Sequence, residues 1–360
     1  MHSPHGPART SHQRRLAVWA LLTIAAGFFF AIGCGRETPG KTDYVYVAVP
    51  DAFLRDKVAT IYNKTGTVHN GERLQVLERM PNKRFVRVRT PRGEEGWLQE
   101  RFLADQATFD QFQHMAAEFR TAPAQATATV ERQAKVHEVP GRKAAFLYLL
   151  DEKQKVDLLE RRPIDRNAPA AKEDKGKEPD ADTPEDDTPD KPGQPAIWED
   201  WWLVRDSQQR VGWVLGRLLY LDVPDEIAQY AEGQRIVAVY KLDEVPDEGK
   251  QVPQYLVVLT EPKDGAPYDF NQIRVYTWNT RKHRYETAYR EHNLEGSLPV
   301  TLGQQDFEKE GTLRTFTLNV KDAEGQPRQQ LYKFKPPIVR KVLAPGEEPA
   351  RKPHGKSKKR

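Results

Sequence analysis

The chain has 360 residues, enough for two or three small domains, and 30% of them are charged and 38% hydrophobic, which predicts a largely soluble, globular protein with some disorder. The net charge of +4 is a sum of opposed segments: three arginines and no acids over 1–33, nine acids against four lysines over 171–192, and eight basic residues against two acids over 340–360. The rest is close to neutral, and this excludes a nucleic-acid partner.

The first 33 residues have the pattern of an export signal. Arg9, Arg14 and Arg15 precede an uncharged apolar run over residues 16–33, and a basic region followed by an apolar one is typical of secretory signals. With 18 residues, the run is also just long enough to span a bilayer. An uncleaved anchor helix is therefore the alternative interpretation.

The apolar run ends at the only cysteine of the chain. The residues Ala31-Ile32-Gly33-Cys34 resemble the lipobox of bacterial lipoproteins, with a departure at Ala31, where leucine is commonest. In that family the small residue before cysteine allows cleavage, and the thiol receives a diacylglyceryl group. The resemblance implies a signal peptide over 1–33, lipidation at Cys34, and anchoring in a membrane of the bacterial cell envelope, facing the periplasm or exterior. A chance cysteine at the end of an anchor helix is the other possibility.

The most informative feature of the sequence is an internal repeat. Residues 85–103 match residues 201–219 at a constant offset of 116, and residues 77–81 match residues 159–163 at an offset of 82. The second copy must therefore hold an insertion of 34 residues between these two matches. Residues 167–196 are rich in Asp, Glu, Lys, Pro and Ala and poor in large apolar residues, which predicts a disordered acidic loop there.

The repeat unit is predicted to consist of short β-strands. Val86 and Val88 share one strand face by two-residue alternation, and turn-favouring residues separate the stretches. In both copies a glycine then precedes a tryptophan, Trp97 in the first and Trp213 in the second. Because the two tryptophans occupy matching positions, we expect a core of the same kind to bury both. A ligand platform is the alternative role.

This order of features resembles the bacterial SH3-like (SH3b) family, whose members have a glycine-basic turn, an aromatic strand, a Gly-Trp strand and a closing leucine. The first copy, residues 43–104, follows the pattern closely. The second copy, residues 127–222, lacks the turn glycine at Lys153 and carries the insert over 167–196. The resemblance implies two small SH3-like β-barrels in tandem.

A helix is predicted between the two copies, over residues 105–122. Apolar residues recur at helical spacing from Phe109 to Phe119, Asp105 is placed to cap the start, and Pro123 should end the helix. We expect it to join the two barrels and to pack on one of them.

The third unit, residues 226–342, is predicted to be an antiparallel β domain. Six segments have strand character: 236–240, 254–260, 273–278, 284–289, 313–320 and 331–334. Residues 343–360 have no periodicity and are predicted to be a disordered basic tail. The fold class is thus mainly β, with two SH3-like barrels in tandem joined by a helix and followed by an antiparallel β domain.

Three tyrosines near the start of the first barrel, Tyr44, Tyr46 and Tyr62, are the candidate ligand-binding residues. Aromatic rings stack on sugars and anchor peptides. The alternative is that they seal the barrel against the helix over 105–122. The acidic insert would repel acidic wall polymers, so we expect the first barrel, and not the second, to contact a ligand.

A search for catalytic residues supports a non-enzymatic protein with no metal and no cofactor. After lipidation of Cys34 no free cysteine remains, the histidines lack zinc-ligand spacing, and no serine lies in a Gly-x-Ser-x-Gly turn. Two classes of function remain. One is a lipoprotein whose SH3-like modules bind peptidoglycan or envelope proteins. The other is a structural or assembly lipoprotein whose barrels only pack internally, or a non-catalytic subunit of a cell-wall enzyme complex.

Overall fold

The computed structural model describes four stretches of the chain, residues 43–81, 84–167, 196–308 and 310–343. They are mainly β and belong to one compact unit that begins at Asp43. The predicted signal segment, Cys34 and, apart from their end residues, the predicted insert (167–196) and basic tail (343–360) lie outside the described residues. In the described stretches, no helix has the length and apolar character needed to cross a membrane.

The first sheet has seven strands: β1 (Tyr44–Val47), β2 (Asp51–Arg55), β3 (Lys64–His69), β4 (Arg73–Arg79), β5 (Phe85–Arg89), β6 (Glu95–Gln99) and β7 (Leu103–Asp105). They pair in the antiparallel order β3-β2-β6-β5-β4-β1-β7. Because side chains alternate between the two faces of a strand, Val86, Val88 and Leu98 point to the same side and belong to a small buried core.

The second sheet repeats this arrangement strand for strand. Its members are β8 (Ala126–Val130), β9 (Ala134–His137), β10 (Phe146–Leu150), β11 (Lys155–Asp165), β12 (Trp198–Arg205), β13 (Val211–Leu215) and β14 (Leu219–Leu221). Their order is β10-β9-β13-β12-β11-β8-β14, again antiparallel. The predicted insert falls between β11 and β12. The sequence repeat therefore corresponds to two sheets of one topology.

Pairing registers agree as closely as the strand orders. Val88 lies opposite Gly96 in the first sheet, and Val204 lies opposite Gly212 in the second, each residue 116 positions after its counterpart. A β-bulge interrupts the β4–β5 and the β11–β12 pairing at corresponding positions. Bulges bend a strand at a fixed place, so the two sheets share local shape as well as topology.

The glycine before each tryptophan is required by space. A Cβ atom on Gly96 would lie 2.7 Å from the Cβ of Leu54, and one on Gly212 would lie 2.5 Å from a methyl group of Val136. Any larger residue would push β6 away from β2, or β13 away from β9. The Gly-Trp pair of the sequence thus marks the closest approach of two strands in each sheet.

Helix α1 (Gln106–Glu118) follows β7 directly. The carboxylate of Asp105 accepts a hydrogen bond of 2.8 Å from the backbone N–H of Thr108, which caps the helix as its composition predicts. The helix ends at Glu118 and not at residue 122. There Arg205 of β12 donates to the free carbonyl of Phe119 at 3.2 Å, satisfying part of the open helix end.

The apolar stripe of α1 contacts both of the first two sheets. Phe112 and Met115 are buried within the core of the second sheet, and the ring of Phe109 stacks on Tyr46 of β1 with 4.0 Å between centroids. The contacts from the first sheet to α1 run through β1 and β7. The helix therefore packs between the two sheets as well as connecting them.

The third sheet is a seven-stranded antiparallel meander: β15 (Arg235–Asp247), β16 (Lys250–Thr260), β17 (Phe270–Asn279), β18 (Arg284–Phe307), β19 (Gly311–Lys321), β20 (Pro327–Lys335) and β21 (Ile338–Lys341). Each of the six predicted segments lies in one of its strands. β18 is much longer than predicted because its first part pairs with β17 and its later part with β19. A short helix, α2 (Asp225–Ala228), buries Ile227 on one face of this sheet.

A buried charge network fastens the third sheet to the second. Arg161 of β11 donates to Asp200 of β12 at 2.7 Å and to Asp269, just before β17, at 3.2 Å. Asp200 also accepts from Arg235 of β15 at 2.9 Å and from the backbone N–H of Gly265 at 3.0 Å. The side chains of Arg161 and Asp200 are almost fully buried. Two cations face two carboxylates, as burial of charge requires.

The two carboxyls respond to this setting in opposite directions. Burial tends to raise the pKa of Asp200, but hydrogen bonds from Arg161 and Gly265 and the charges of Arg161 and Arg235 outweigh it and lower the pKa. Its stabilisation is therefore present above the ordinary carboxyl pKa of about 3.9 and is lost as the pH falls below that value. At Asp269 burial dominates and raises the pKa, so Asp269 takes up a proton first as the pH decreases.

Removing one charge from this network should destabilise the protein strongly. We expect Asp200→Asn to lower the free energy of unfolding by about 3–5 kcal/mol at pH 7, because Arg161 would remain buried with only part of its partners. Asp264→Asn is the matched control. Asp264 also pairs with Arg235, at 2.7 Å, but is well exposed, so its loss should cost at most about 1 kcal/mol. Urea unfolding measures both, and equal effects would contradict a central role for the network.

Candidate functional site

The outward side of β2, β5 and β6 carries aromatic side chains. Burial of Val86 and Leu98 turns their strand neighbours Phe85 and Trp97 to this side, where both are half-buried. On β2, Phe53 is 51% exposed. Exposed aromatic rings gathered on one sheet face are a feature of binding surfaces.

Trp97 is therefore not part of the sheet core. The prediction that the two matching tryptophans are both buried is correct for Trp213, which is 4% exposed, and wrong for Trp97. The physical reason is the alternation itself. With Gly96 and Leu98 directed inward, Trp97 must point outward. Its ring is only partly covered, whereas the ring of Trp213 is packed on all sides.

Arg55 lies at the centre of this surface. Its guanidinium carbon is 4.1 Å from the ring centroid of Tyr62 and 5.5 Å from that of Phe85, both within range of a cation–π interaction. In the strand pairing Arg55 lies opposite Trp97. Arg55 and the rings of Phe53, Tyr62, Phe85 and Trp97 together are called the aromatic face.

The loop between β2 and β3 carries Tyr62 of the aromatic face and is closed at its base by Asp56 and Asn63. Asn63 donates to the carboxylate of Asp56 from its backbone N–H at 2.8 Å and from its side chain at 2.9 Å, and these bonds lower the pKa of Asp56. Within the loop Ile61 is 83% exposed. Just beyond it the ammonium group of Lys64 lies 3.8 Å above the ring of Phe53. The loop thus adds apolar and cationic groups to the edge of the face.

The charges beside the rings are mostly positive. Glu95 pairs with Arg89 at 2.6 Å and with Arg87 at 3.0 Å, and the hydrogen bond from Arg89 lowers its pKa. Within the described part of the chain, Arg55 and Lys64 form no ion pair with a carboxylate. The aromatic face therefore offers stacking surfaces next to two cations without a partner of opposite charge.

The three predicted ligand-binding tyrosines are separated by the fold. Tyr62 belongs to the aromatic face. Tyr44 lies elsewhere, on β1, where the guanidinium of Arg73 covers its ring at 3.6 Å. Tyr46 is 4% exposed and stacks on Phe109 of α1. Tyr46 therefore seals the first sheet against the helix, the alternative role, and presents no free ring to a ligand.

The corresponding face of the second sheet is closed. Trp201 and Trp213, 116 positions after the aromatic residues of β5 and β6, are 1% and 4% exposed. His137 takes the place of Arg55 opposite Trp213 in the strand pairing. Its ring contacts Trp201 edge-on at 5.2 Å and Phe146 at 5.8 Å. In the second sheet, the rings around His137 therefore form part of a packed core.

Charge interactions cover this closed face. The guanidinium of Arg162 lies 4.5 Å from the ring centroid of Trp213, and Arg142 forms an ion pair with the buried Glu199 at 2.5 Å. Burial lowers the pKa of His137 to about 4, so its imidazole is neutral at physiological pH. At the positions of Arg55, Phe85 and Trp97 the second sheet therefore has three buried side chains, His137, Trp201 and Trp213. Only the half-buried ring of Phe146, with the ammonium group of Lys135 at 4.2 Å, remains at the edge of this face.

The sequence analysis identified Tyr62, gave a ligand platform only as the alternative role of Trp97, and assigned neither Arg55 nor Phe85 to a site. The signal was present in the strand alternation. Once Val86 was assigned to the core, Phe85 had to face outward, and the assignment of Leu98 did the same for Trp97. The error was to treat a position shared by two copies as evidence for a shared degree of burial.

Two further cavities lie beside β15, with volumes of about 310 and 270 Å³, and Lys241 and Leu302 line both of them. Tyr240, in the second cavity, already donates to Gln125 at 2.9 Å. Across the described stretches, no cluster of three or more His, Cys, Asp or Glu residues could hold a metal ion. Neither cavity gathers rings and free cations as the aromatic face does, so that face is the candidate site.

Comparison with known proteins locates one family. Residues 50–104 match the family Bacterial SH3 domain. This range begins just before β2 and ends within β7, so the first sheet contains a bacterial SH3 domain and the aromatic face lies inside the matched region. The match does not include the second sheet. No curated protein matches the chain.

Two solved structures align with most of the chain at very low similarity. A crystal structure of an NlpC/P60 family protein from Bacillus cereus ATCC 10987 covers 79% of this chain and 93% of its own, with 11% identity and a TM-score of 0.21. The structure of NlpC2 from Trichomonas vaginalis covers 82% of this chain and 98% of its own, with 9% identity and a TM-score of 0.16. Scores this low do not establish a shared fold.

The different burial of the two tryptophans predicts different consequences of their removal. Trp213→Ala should lower the free energy of unfolding by about 3–5 kcal/mol, since it empties a packed core. Trp97→Ala should cost no more than about 1.5 kcal/mol, because the ring is only half-buried. Urea unfolding of both variants provides the measurement. Similar losses would show that Trp97 is a core residue after all.

Proposed function

We propose that the protein is a non-enzymatic lipoprotein of the bacterial cell envelope that binds peptidoglycan, or a protein of the envelope, through the aromatic face of its bacterial SH3 domain. The observation that supports this most is the difference between the two sheets. The first leaves its rings and Arg55 accessible, whereas the second buries the equivalent residues. Exposed rings beside free cations suit sugars and peptides.

We assign the second sheet to a second SH3-like module, so that two such modules stand in tandem around α1. Identical strand order and register support this assignment. In this proposal the second module no longer binds a ligand. The side that corresponds to the aromatic face is filled by Trp201 and Trp213, and the function of this module is to hold the other two sheets.

The membrane anchor in this proposal is the lipidated Cys34, following removal of residues 1–33. The support is the basic and apolar pattern of that segment and the small residue before the cysteine. Each buried CH₂ of an acyl chain contributes about 0.8 kcal/mol, so two or three chains hold a protein firmly at a bilayer. The SH3 domain would then lie outside the cytoplasm, within reach of the cell wall.

Mass spectrometry of the mature amino terminus tests the anchor. We expect the chain to begin at an acylated Cys34, and Cys34→Ala to leave the precursor uncleaved or released from the membrane fraction. An intact Met1 on the wild-type protein would instead establish an uncleaved anchor helix, and an unmodified thiol would exclude lipidation.

A structural or assembly role, or a non-catalytic place in a cell-wall enzyme complex, is the second candidate. The closed face of the second sheet and the buried Arg161–Asp200 network favour it, because both are devoted to internal packing. This candidate differs from the first in one consequence. It requires no ligand at the aromatic face, so substitutions there should leave all functions of the protein unchanged.

Cosedimentation of the full-length, detergent-solubilised protein with purified peptidoglycan separates the two candidates. Tyr62→Ala should weaken retention about two- to tenfold, the usual range for loss of one stacking ring. Tyr44→Ala is the matched control, since that tyrosine also lies under an arginine in the same sheet but away from the aromatic face. Retention unaffected by either change favours the structural role. Release of soluble fragments from the peptidoglycan would overturn the non-enzymatic assignment.

A further inference from the structure

Arg55 is held in a position that leaves its hydrogen-bonding edge available. Its guanidinium carbon lies 4.1 Å from the ring centroid of Tyr62 and 5.5 Å from that of Phe85, and in the part of the chain that the structure describes it forms no ion pair. The adjacent carboxylate, Asp56, is engaged by Asn63 in two hydrogen bonds. Cation–π contact with two rings restrains the guanidinium and does not use up its N–H groups.

A guanidinium fixed in this way is suited to a planar anion. Arginine presents a fork of donors that matches the two oxygens of a carboxylate, and such charge-assisted pairs are about twice as strong as neutral hydrogen bonds. Partial burial by the surrounding rings reduces competition from water. Trp97, opposite Arg55 on β6, supplies an adjoining flat surface for the rest of the ligand.

The second sheet supports a ligand-related role for this charge. There the central residue is His137, which is buried, carries a pKa lowered to about 4, and donates to the backbone carbonyl of Ala144 at 2.9 Å. Two of the rings beside it, Trp201 and Trp213, are buried as well. The free cation is thus found in the sheet whose face is open and is replaced by a neutral, satisfied side chain where the face is closed.

We propose that Arg55 binds a free carboxylate of a short peptide and that this peptide is the stem peptide of peptidoglycan, lying along Trp97 and Tyr62. This inference rests on the proposed function and adds to it the chemical group that the site recognises. Arg55 is then the specificity-determining residue of the aromatic face, and the rings supply affinity without selecting for charge.

The test measures binding of soluble disaccharide-peptide fragments of peptidoglycan to the full-length, detergent-solubilised protein by calorimetry. One fragment keeps its free carboxylates and a second has them converted to amides. We expect the amidated fragment to bind wild-type protein about ten- to a hundredfold more weakly, as loss of a hydrogen-bonded charge pair implies. Equal affinity for the two fragments would overturn the inference.

Three variants assign the effect to Arg55. Arg55→Gln should bind both fragments equally weakly, and Arg55→Lys should recover only part of the discrimination because lysine keeps the charge but not the fork. Arg73→Gln is the matched control, since Arg73 also stacks on a tyrosine of the first sheet, and it should leave both affinities unchanged. Unaltered discrimination in Arg55→Gln would place the carboxylate site elsewhere and overturn the assignment.

Failure of this inference can be told apart from failure of the proposed function. If Trp97→Ala abolishes binding while amidation has no effect, the aromatic face is a binding site and only the carboxylate assignment is wrong. If wild-type protein binds neither fragment nor intact peptidoglycan, both are wrong. Thermal unfolding of each variant shows that lost binding is not lost folding.

Discussion

The pairing of Arg161 with Asp200 is the interaction on which the arrangement of the sheets depends. Both side chains lie on the second sheet, yet their further hydrogen-bond partners come from the third sheet and the loop before β17: Arg235, Asp269 and the backbone of Gly265, Ala266 and Tyr268. A buried charge tolerates only a narrow geometry, because any partner that moves away leaves an uncompensated ion. Apolar packing between the sheets could slide by some distance at little cost, whereas this network fixes one position.

The second sheet therefore works under constraints that the first does not share. It receives α1 on one side, through Phe112, and the third sheet on another, through Asp200, and the aromatic cluster at Trp201 and Trp213 completes its core. A sheet that must hold two neighbours gains from a large, rigid core, since each buried ring adds contact area. An accessible ligand face would remove that area. Its closed face follows from its position in the chain and not from a different topology.

Much of this could be predicted from the sequence, and the limit has a physical cause. The offset of 116 between the copies reappears in the strand pairing of Val88 with Gly96 and of Val204 with Gly212. Alternation along a strand determines on which face a side chain lies. It does not determine what covers that face, because the covering elements come from distant parts of the chain. For that reason the burial of Tyr46 by α1 could be stated only as an alternative to ligand binding, and the charge network was not predicted at all. The length of β18 was missed because it pairs with two strands in turn.

In the first sheet, the strands that pack against α1 are different from the strands that carry the aromatic face. Its contacts with α1 run through β1 and β7, where Tyr46 is buried, while the aromatic face is built on β2, β5, β6 and the loop that follows β2. The two sets of strands belong to one small core, so the face is rigid, but no ring on it is needed to hold another sheet. Arg55 and the rings of the aromatic face are therefore not constrained by packing against another sheet and are available to a ligand. In the second sheet the position of Arg55 is occupied by His137. Among the hydrogen bonds of the described residues, its side chain has one partner, the backbone carbonyl of Ala144. There the same strand arrangement contributes to the stability of the fold.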